Sequence, residues 1–213
     1  MITTKNRIIG SAVSLFNERG FVNVTMRDLA QELGISLGNL TYHFKRKDDL
    51  IGAIHQQLIE ERNALLETVQ IAPSIANIHA QLFPLMELYE KYRFFYLDIL
   101  EVMRAFPDIA SSHREHISNQ IRYIRAIIDY SVGSGNMLPE SRNGQYDSLA
   151  ETVCLMLTFW LSQHTVRNLE GSFLNDAREA MWNLVFPLLT TKGKAAFEGG
   201  IVAHGFIRGL AET

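Results

Sequence analysis

The sequence has a single cysteine, and no apolar run in it approaches the ~20 residues needed to cross a bilayer. One cysteine excludes an internal disulfide and a Cys-rich zinc site. Cys154 lies in "ETVCLMLTFW", among apolar neighbours, where a buried, inert thiol is expected. A Gly-rich phosphate loop, a nucleophile elbow and an HExxH pair are missing too, so no catalytic residue, metal or cofactor is expected and an enzyme has no motif to rest on. Internal repeats and low-complexity tracts are absent. The opening "MITTKNRIIG" lacks the apolar centre and cleavage site of a signal peptide, which gives the expectation of a cytoplasmic protein with no membrane partner.

What is present describes a globular chain of one large domain or two smaller ones: 213 residues, 47% hydrophobic and 20% charged. The net charge of -3 hides an asymmetry. Residues 1–50 carry seven Lys/Arg against five Asp/Glu, and residues 51–213 carry thirteen against eighteen. Any contact with nucleic acid therefore belongs to the front of the chain.

Apolar residues recur at helical spacing and nowhere alternate long enough for a sheet, so the expected fold is all-α. A first helix is predicted from about Thr4 to Arg19, burying Ile8, Ile9, Ala12, Val13, Leu15 and Phe16 and ending at Gly20. Thr25 and Asp28 form a capping box for a second helix, "MRDLAQEL", which Gly34 stops. Ser36 caps a third from Leu37 to about Phe44, and Lys47 opens a long fourth that reaches about Gln70. Pro73 and Ser74 mark a break. Beyond it helices are expected at about 75–90, 92–105, 108–132, 146–170 and 173–190. Pro84 should kink the first of these or shift its start. "GSGNMLPESRNG" is the longest polar loop, and Gly171 with Ser172 turns the chain between the last two long helices. The tail from Lys192 suits either a short docked helix or a frayed end.

Two short helices joined by "GIS" have the length and punctuation of a helix-turn-helix. Leu29, Ala30, Leu33, Ile35, Leu40 and Phe44 supply the apolar anchors. Leu37, Gly38, Asn39, Thr41, Tyr42 and His43 are left to face elsewhere. Such a face has poor helix propensity and adds little stability, so it reads as a contact surface. Asn39 suits an adenine edge, Arg27 a guanine, and Leu37 with Thr41 the thymine methyl groups. Gly38 allows close approach of the backbone. Tyr42, His43, Lys45 and Lys47 suit phosphates, and the first amides of the fourth helix add an anion site near Lys47.

From Ala12 to Ala53 the string containing "LFNERGF", "TMRDLAQELGIS" and "LTYHFKRKDDL" resembles the DNA-binding domain of the TetR (TetR/AcrR) family of bacterial transcriptional regulators. These pieces occur together, in order and at the family's spacing, over about a quarter of the chain. The resemblance implies an all-α homodimer with an N-terminal helix-turn-helix, and a variable C-terminal domain that binds a small molecule and lowers operator affinity. By position it places DNA contacts on Thr25, Arg27, Leu37, Gly38, Asn39, Thr41, Tyr42, His43 and Lys47. Leu37 stands where the family is often polar and Thr41 where Tyr is frequent, which leaves the operator sequence open.

The implied division is a DNA-binding domain over 1–46 and a ligand-binding and dimerisation domain over 47–213, with 47–70 as the linking helix. "LYEKYRFFYLDILEVMRAF" is rich in rings, and Phe95, Tyr96, Ile99 and Met103, with Tyr123 and Phe159, are candidate effector contacts, although ordinary core is the commoner role for any one of them. Arg93, Arg104 and Arg122 could meet an acidic ligand, although solvated or ion-paired arginines are the commoner case. His113 and His116 share a helix face, but with no third ligand nearby they are read as exposed histidines. His55, His79 and His164 are scattered. Stripes on the last two long helices make Leu157, Trp160, Leu161, His164, Met181, Leu184 and Leu188 candidates for a dimer seam.

The expected protein is a ligand-released repressor that binds a palindromic operator on double-stranded DNA as a homodimer and takes a small apolar or amphipathic effector. The rivals are a ligand carrier or small-molecule enzyme keeping a relic helix-turn-helix, and a constitutive DNA-binding protein without effector.

Overall fold

The computed structural model describes residues 3–71, 73–169 and 173–202, apart from the side chains of 68–71 and 201–202. Val69, the Gly171–Ser172 turn and the tail residues Phe206, Ile207 and Leu210 lie outside the described side chains or residues. Eleven α-helices and a short 3-10 turn are found among the described residues, with no strand. None of those helices is long and apolar enough to cross a membrane. They are α1 (Thr4–Arg19), α2 (Met26–Glu32), α3 (Leu37–His43), α4 (Lys47–Ile71), α5 (Ile75–Lys91), α6 (Arg93–Leu97), α7 (Ile99–Ala105), α8 (Pro107–Gly133), α9 (Gln145–Val166), α10 (Phe173–Val185) and α11 (Thr191–Val202).

By compactness the chain divides into two units, Met1–Arg62 with Leu88–Glu115, and Asn63–Glu87 with His116–Thr213. This differs from a cut at residue 46, because the first turns of α4 and the segment around α6 and α7 pack with the N-terminal helices.

In the first unit, all six predicted apolar residues of α1 are buried. Thr25 and Asp28 form the reciprocal capping box of α2, and the Thr25 hydroxyl and amide hold the Asp28 carboxyl below the usual carboxylate range. Gly34 takes φ +63°, a left-handed turn that needs a glycine between α2 and α3. The Ser36 hydroxyl accepts from the Asn39 amide at 3.1 Å. At seven residues α3 cannot hold a helix by itself, so this cap and the buried Leu40 and Phe44 set its position. Ser36→Ala is expected to cost about 1 kcal/mol in urea unfolding.

The single helix expected over 92–105 is two short ones, broken at Asp98, and the expected break ahead of it falls at Tyr92. The junction at Tyr92 has a tertiary support. Asn17 of α1 donates its amide to the Lys91 carbonyl at 2.8 Å and accepts from the Phe94 amide at 3.0 Å, supplying bonds that a continuous helix would make internally. Phe16 packs on Phe94 at 5.2 Å beside that junction, so α6 is tied to α1.

In the second unit, α5 runs through Pro84 without interruption and α9 packs on α10. α9 ends at Val166, earlier than the predicted 170. α10 ends at Val185 rather than near 190, and a 3-10 turn containing Pro187 follows. Leu189 then bridges to Met137 in the polar loop. Of the two readings of the tail, a docked helix is what forms over its described part. α11 seats Phe197 on Trp182 at 4.7 Å, and the Trp182 indole donates to His79 Nδ1 at 3.0 Å.

Candidate nucleic-acid interface

Thr25, Arg27, Ser36, Leu37, Gly38, Asn39, Tyr42 and Lys45 are exposed, while Thr41, His43 and Lys47 are half-buried. Tyr42 is 85% exposed, with its ring edge-on to His43 at 5.2 Å. A large ring held out in water on a seven-residue helix stabilises nothing in the monomer. Opposite it, Leu40 is fully buried, and α2 and α3 pack on each other with α2 against α1. One face of α3 is therefore an anchor and the other is free. The Thr41 hydroxyl donates back to the Leu37 carbonyl at 3.0 Å, which leaves its methyl group as the part able to meet a partner.

Two expected contacts are corrected. Lys47 is not a free phosphate ligand: its ammonium donates to the Phe21 carbonyl and, at 2.7 Å, to that of Val24, and lies over the Phe16 and Phe21 rings. Burial lowers its pKa from the ordinary lysine value, against the opposing pull of Asp28. It binds the loop before α2 to α4. The anion site expected at the start of α4 meets the protein's own carboxylate, since Asp49 accepts from the Arg46 amide at 3.0 Å.

The candidate effector residues are divided between the two units. Phe95, Tyr96 and Ile99 are buried and Met103 is half-buried in the first unit, whereas Tyr123 and Phe159 belong to the second. Phe159 is 37% exposed. His113 is not an exposed histidine. It is 8% exposed and faces His55, itself 3% exposed, with Nε2 of His55 and Nδ1 of His113 3.3 Å apart. Phe95 lies 5.3 Å from each imidazole, stacked on that of His55. Burial lowers the pKa of both to about 4, and the neighbouring His55 adds to the shift at His113. No group of three or more metal-ligating side chains occurs among the described residues.

Of the candidate seam, Leu157, Leu161 and Met181 are buried in the monomer, Trp160, His164 and Leu188 are half-buried, and Leu184 is exposed. The exposed apolar residues of α9 are Leu155, Phe159 and Val166, at i, i+4 and i+11 along one face. Arg93 and Arg104 pair with Glu90 and Glu101, and Arg122 donates to Asn119. Arg62 was missed in the sequence. It is 5% exposed and makes no ion pair with any described carboxylate, and its Nε is enclosed without an acceptor. Its signal was present, because Arg62 continues the buried stripe of Ile51, Ile54 and Leu58.

Two short helices capped by side chains, one anchored and one offering Asn, Gly, Thr and Tyr outward, define a helix-turn-helix of the DNA-binding class. Residues 8–54 match the family model described as bacterial regulatory proteins, tetR family, and residues 55–197 match one described as bacterial transcriptional repressor. The chain belongs to the TetR family of bacterial transcriptional regulators. It is 32% identical over 85 residues to the probable HTH-type transcriptional regulator YttP of Bacillus subtilis, an alignment spanning 40% of this chain and 41% of that protein. Its fold is similar to that of a TetR-family transcriptional regulator from Marinobacter aquaeolei, with a TM-score of 0.77 at 23% identity over 93% of this chain and 97% of that one. A transcriptional regulator from Saccharomonospora viridis, solved in complex with choline, has a TM-score of 0.71 at 18% identity, covering 87% and 97% of the two chains.

Proposed function

We propose that two copies of this chain bind a palindromic operator through α3 and release it when a small apolar or amphipathic molecule enters the ring-rich part of the protein. The outward face of α3, set on the buried Leu40 and Phe44, carries the reading. Asn39 and Arg27 are assigned to base edges, Leu37 and the Thr41 methyl to thymine, and Tyr42, His43 and Lys45 to phosphates. The effector contacts are assigned to Phe95, Tyr96, Ile99 and Met103. The choline bound to the Saccharomonospora viridis protein supports a small-molecule effector in this fold. A ligand shifts such an equilibrium only by its differential affinity, typically about 1–3 kcal/mol.

The dimer face is assigned to Leu155, Phe159 and Val166 of α9 with Leu184 of α10, the exposed apolar set. Trp160 supports this, because its buried indole N–H has no acceptor among the described residues and a second chain can supply one. Pairing also follows from DNA geometry, since two recognition helices on one face of the duplex lie about 34–36 Å apart.

The test is fluorescence anisotropy with fragments from the gene's own upstream region at physiological salt. Two protomers should bind one fragment tightly and a scrambled duplex weakly. Phe159→Glu is expected to give a folded monomer in sedimentation and to weaken operator binding by roughly a hundredfold or more. Equal affinity for scrambled DNA would remove the reading.

A further inference from the structure

Arg62 lies in the last turn of α4 that belongs to the first unit, and its guanidinium is the group on which this inference rests. Arginine stays charged in proteins. A charge taken out of water is strongly disfavoured unless it is paired and hydrogen-bonded. Here the neighbouring carboxylate is already committed: Glu61 accepts two bonds from Lys91, at 2.7 and 2.8 Å, another from Gln57 and one from the Tyr92 hydroxyl at 3.1 Å. Burial pushes the Glu61 carboxyl up, and these partners outweigh it, so Glu61 is held below its ordinary range and stays an anion bound to Lys91. Arg62 has no such partner in its unit.

The group its charge acts on is a phenol, that of Tyr96. Tyr89, Tyr92 and Tyr96 are all buried, and the rings of Tyr89 and Tyr96 lie 4.3 Å apart. The positive charge of Arg62 acts on the Tyr96 hydroxyl, which is also hydrogen-bonded to Tyr89. Phe95 adjoins Tyr96 at 5.9 Å and carries the His55–His113 pair on its other contacts. Both imidazoles are neutral near pH 7, their pKa values lying at about 4. The cluster therefore holds one permanent positive charge, the bonded Tyr89–Tyr96 pair of hydroxyls, and a wall of rings, with the Tyr92 hydroxyl committed to Glu61.

Resting on the effector reading above, we infer that the effector is a monoanionic carboxylate with an aliphatic or aromatic body, whose carboxylate pairs with Arg62 beside Tyr96 and its partner Tyr89. A single carboxylate neutralises a single guanidinium, and the planar fork of arginine matches it through two parallel bonds. A dianionic phosphate leaves one negative charge buried. A cation is repelled. Release of DNA follows within the same unit. Phe95 and Tyr96 lie on α6 together with Phe94, which rests on Phe16 of α1, and the Asn17 bonds fasten α6 to α1. Seating a ligand against Tyr96 displaces α6, and α1 carries the helix-turn-helix.

The experiment uses the full-length protein with decanoate and 3-phenylpropionate, their matched alcohols and amines, and phenyl phosphate. Each is read by thermal shift and by operator anisotropy. At least one carboxylate is expected to raise Tm and weaken operator binding, with its alcohol, its amine and the phosphate inactive at the same concentration. Arg62→Met should weaken the carboxylate by roughly tenfold to a hundredfold and, because it removes an unpaired buried charge, raise the Tm of the unliganded protein. Arg62→Lys should retain part of the response. Alcohols or phosphate acting as well as carboxylates overturns the inference, as does no response to any carboxylate. So does an Arg62→Met protein that is less stable when unliganded and still responds as before. Operator binding without ligand is measured in the same assay, so loss of the DNA-binding reading is seen separately.

Discussion

Replacing Gly38 with leucine is expected to abolish operator binding and leave the protein at least as stable as before. Gly38 is the second residue of α3, in helical backbone, and a Cβ built on it meets only the Ser36 hydroxyl oxygen, at 3.9 Å. Nothing inside the chain requires the glycine. A glycine in a helix costs roughly 0.5–1 kcal/mol relative to alanine, so the protein carries an instability that its own packing does not explain. The cause is external to the chain: bound to DNA, the backbone at Gly38 approaches the floor or wall of the groove too closely for a side chain. Gly38→Ala should therefore raise the free energy of unfolding by up to about 1 kcal/mol. Gly38→Leu should match or exceed the wild type in urea while pushing α3 out of the groove. With about 1–3 kcal/mol lost per base contact and two half-sites, operator affinity should fall by roughly a hundredfold or more. A Gly38→Leu protein that binds as well as wild type contradicts the placement of α3.

The second large effect is acid sensitivity from the buried histidine pair. His55 and His113 face one another through ring nitrogens 3.3 Å apart, an arrangement in which one nitrogen donates and the other accepts. A further proton sets two N–H groups against each other and places a charge beside Phe95. The folded protein accordingly excludes that proton until about pH 4, whereas the unfolded chain accepts it near pH 6.5. Between those values the unfolded state binds more protons, so stability rises with pH and is lost as pH falls. Each histidine contributes up to about 1.4 kcal/mol per pH unit in that window and nothing above it. Urea midpoints should be flat from pH 7 to 8 and drop from pH 6.5 to 4. Replacing both residues by non-titrating side chains, His55→Leu with His113→Leu, should flatten the drop whatever it does to stability at pH 7.5. An unchanged slope would assign the acid sensitivity to carboxylates elsewhere.

The sequence showed the parts of the fold governed by neighbours within a few residues. The buried face of α1, the capping box at Thr25, the cap at Ser36 and the exposed Leu37, Gly38, Asn39 and Tyr42 of α3 are set by spacing and local hydrogen bonds, while Thr41 and His43 are half-buried. What escaped was decided by partners distant in the chain. Asn17 binds the junction between α5 and α6 across 74 residues, and His55 finds His113 across 58. Lys47 was read by its charge and its place next to Lys45 and Arg46, but carbonyls of the loop before α2 turn it inward. Arg62 lies on the buried stripe of α4, where a sequence gives no sign of its partners. Only its burial, beside a glutamate already taken by Lys91, gives it meaning. The apolar stripes of α9 and α10 were visible, but a stripe does not say which half faces the monomer core. Leu157 and Leu161 took that side and left Leu155, Phe159 and Val166 outside.

The most direct measurement is a crystal structure of the dimer on the operator that anisotropy selects. Two copies of α3 should lie in successive major grooves about 34–36 Å apart, with Asn39 within hydrogen-bonding distance of a base edge and the backbone of Gly38 against the DNA. A complex in which α3 faces solvent, or in which Asn39 touches only phosphates while another surface meets the bases, would contradict it.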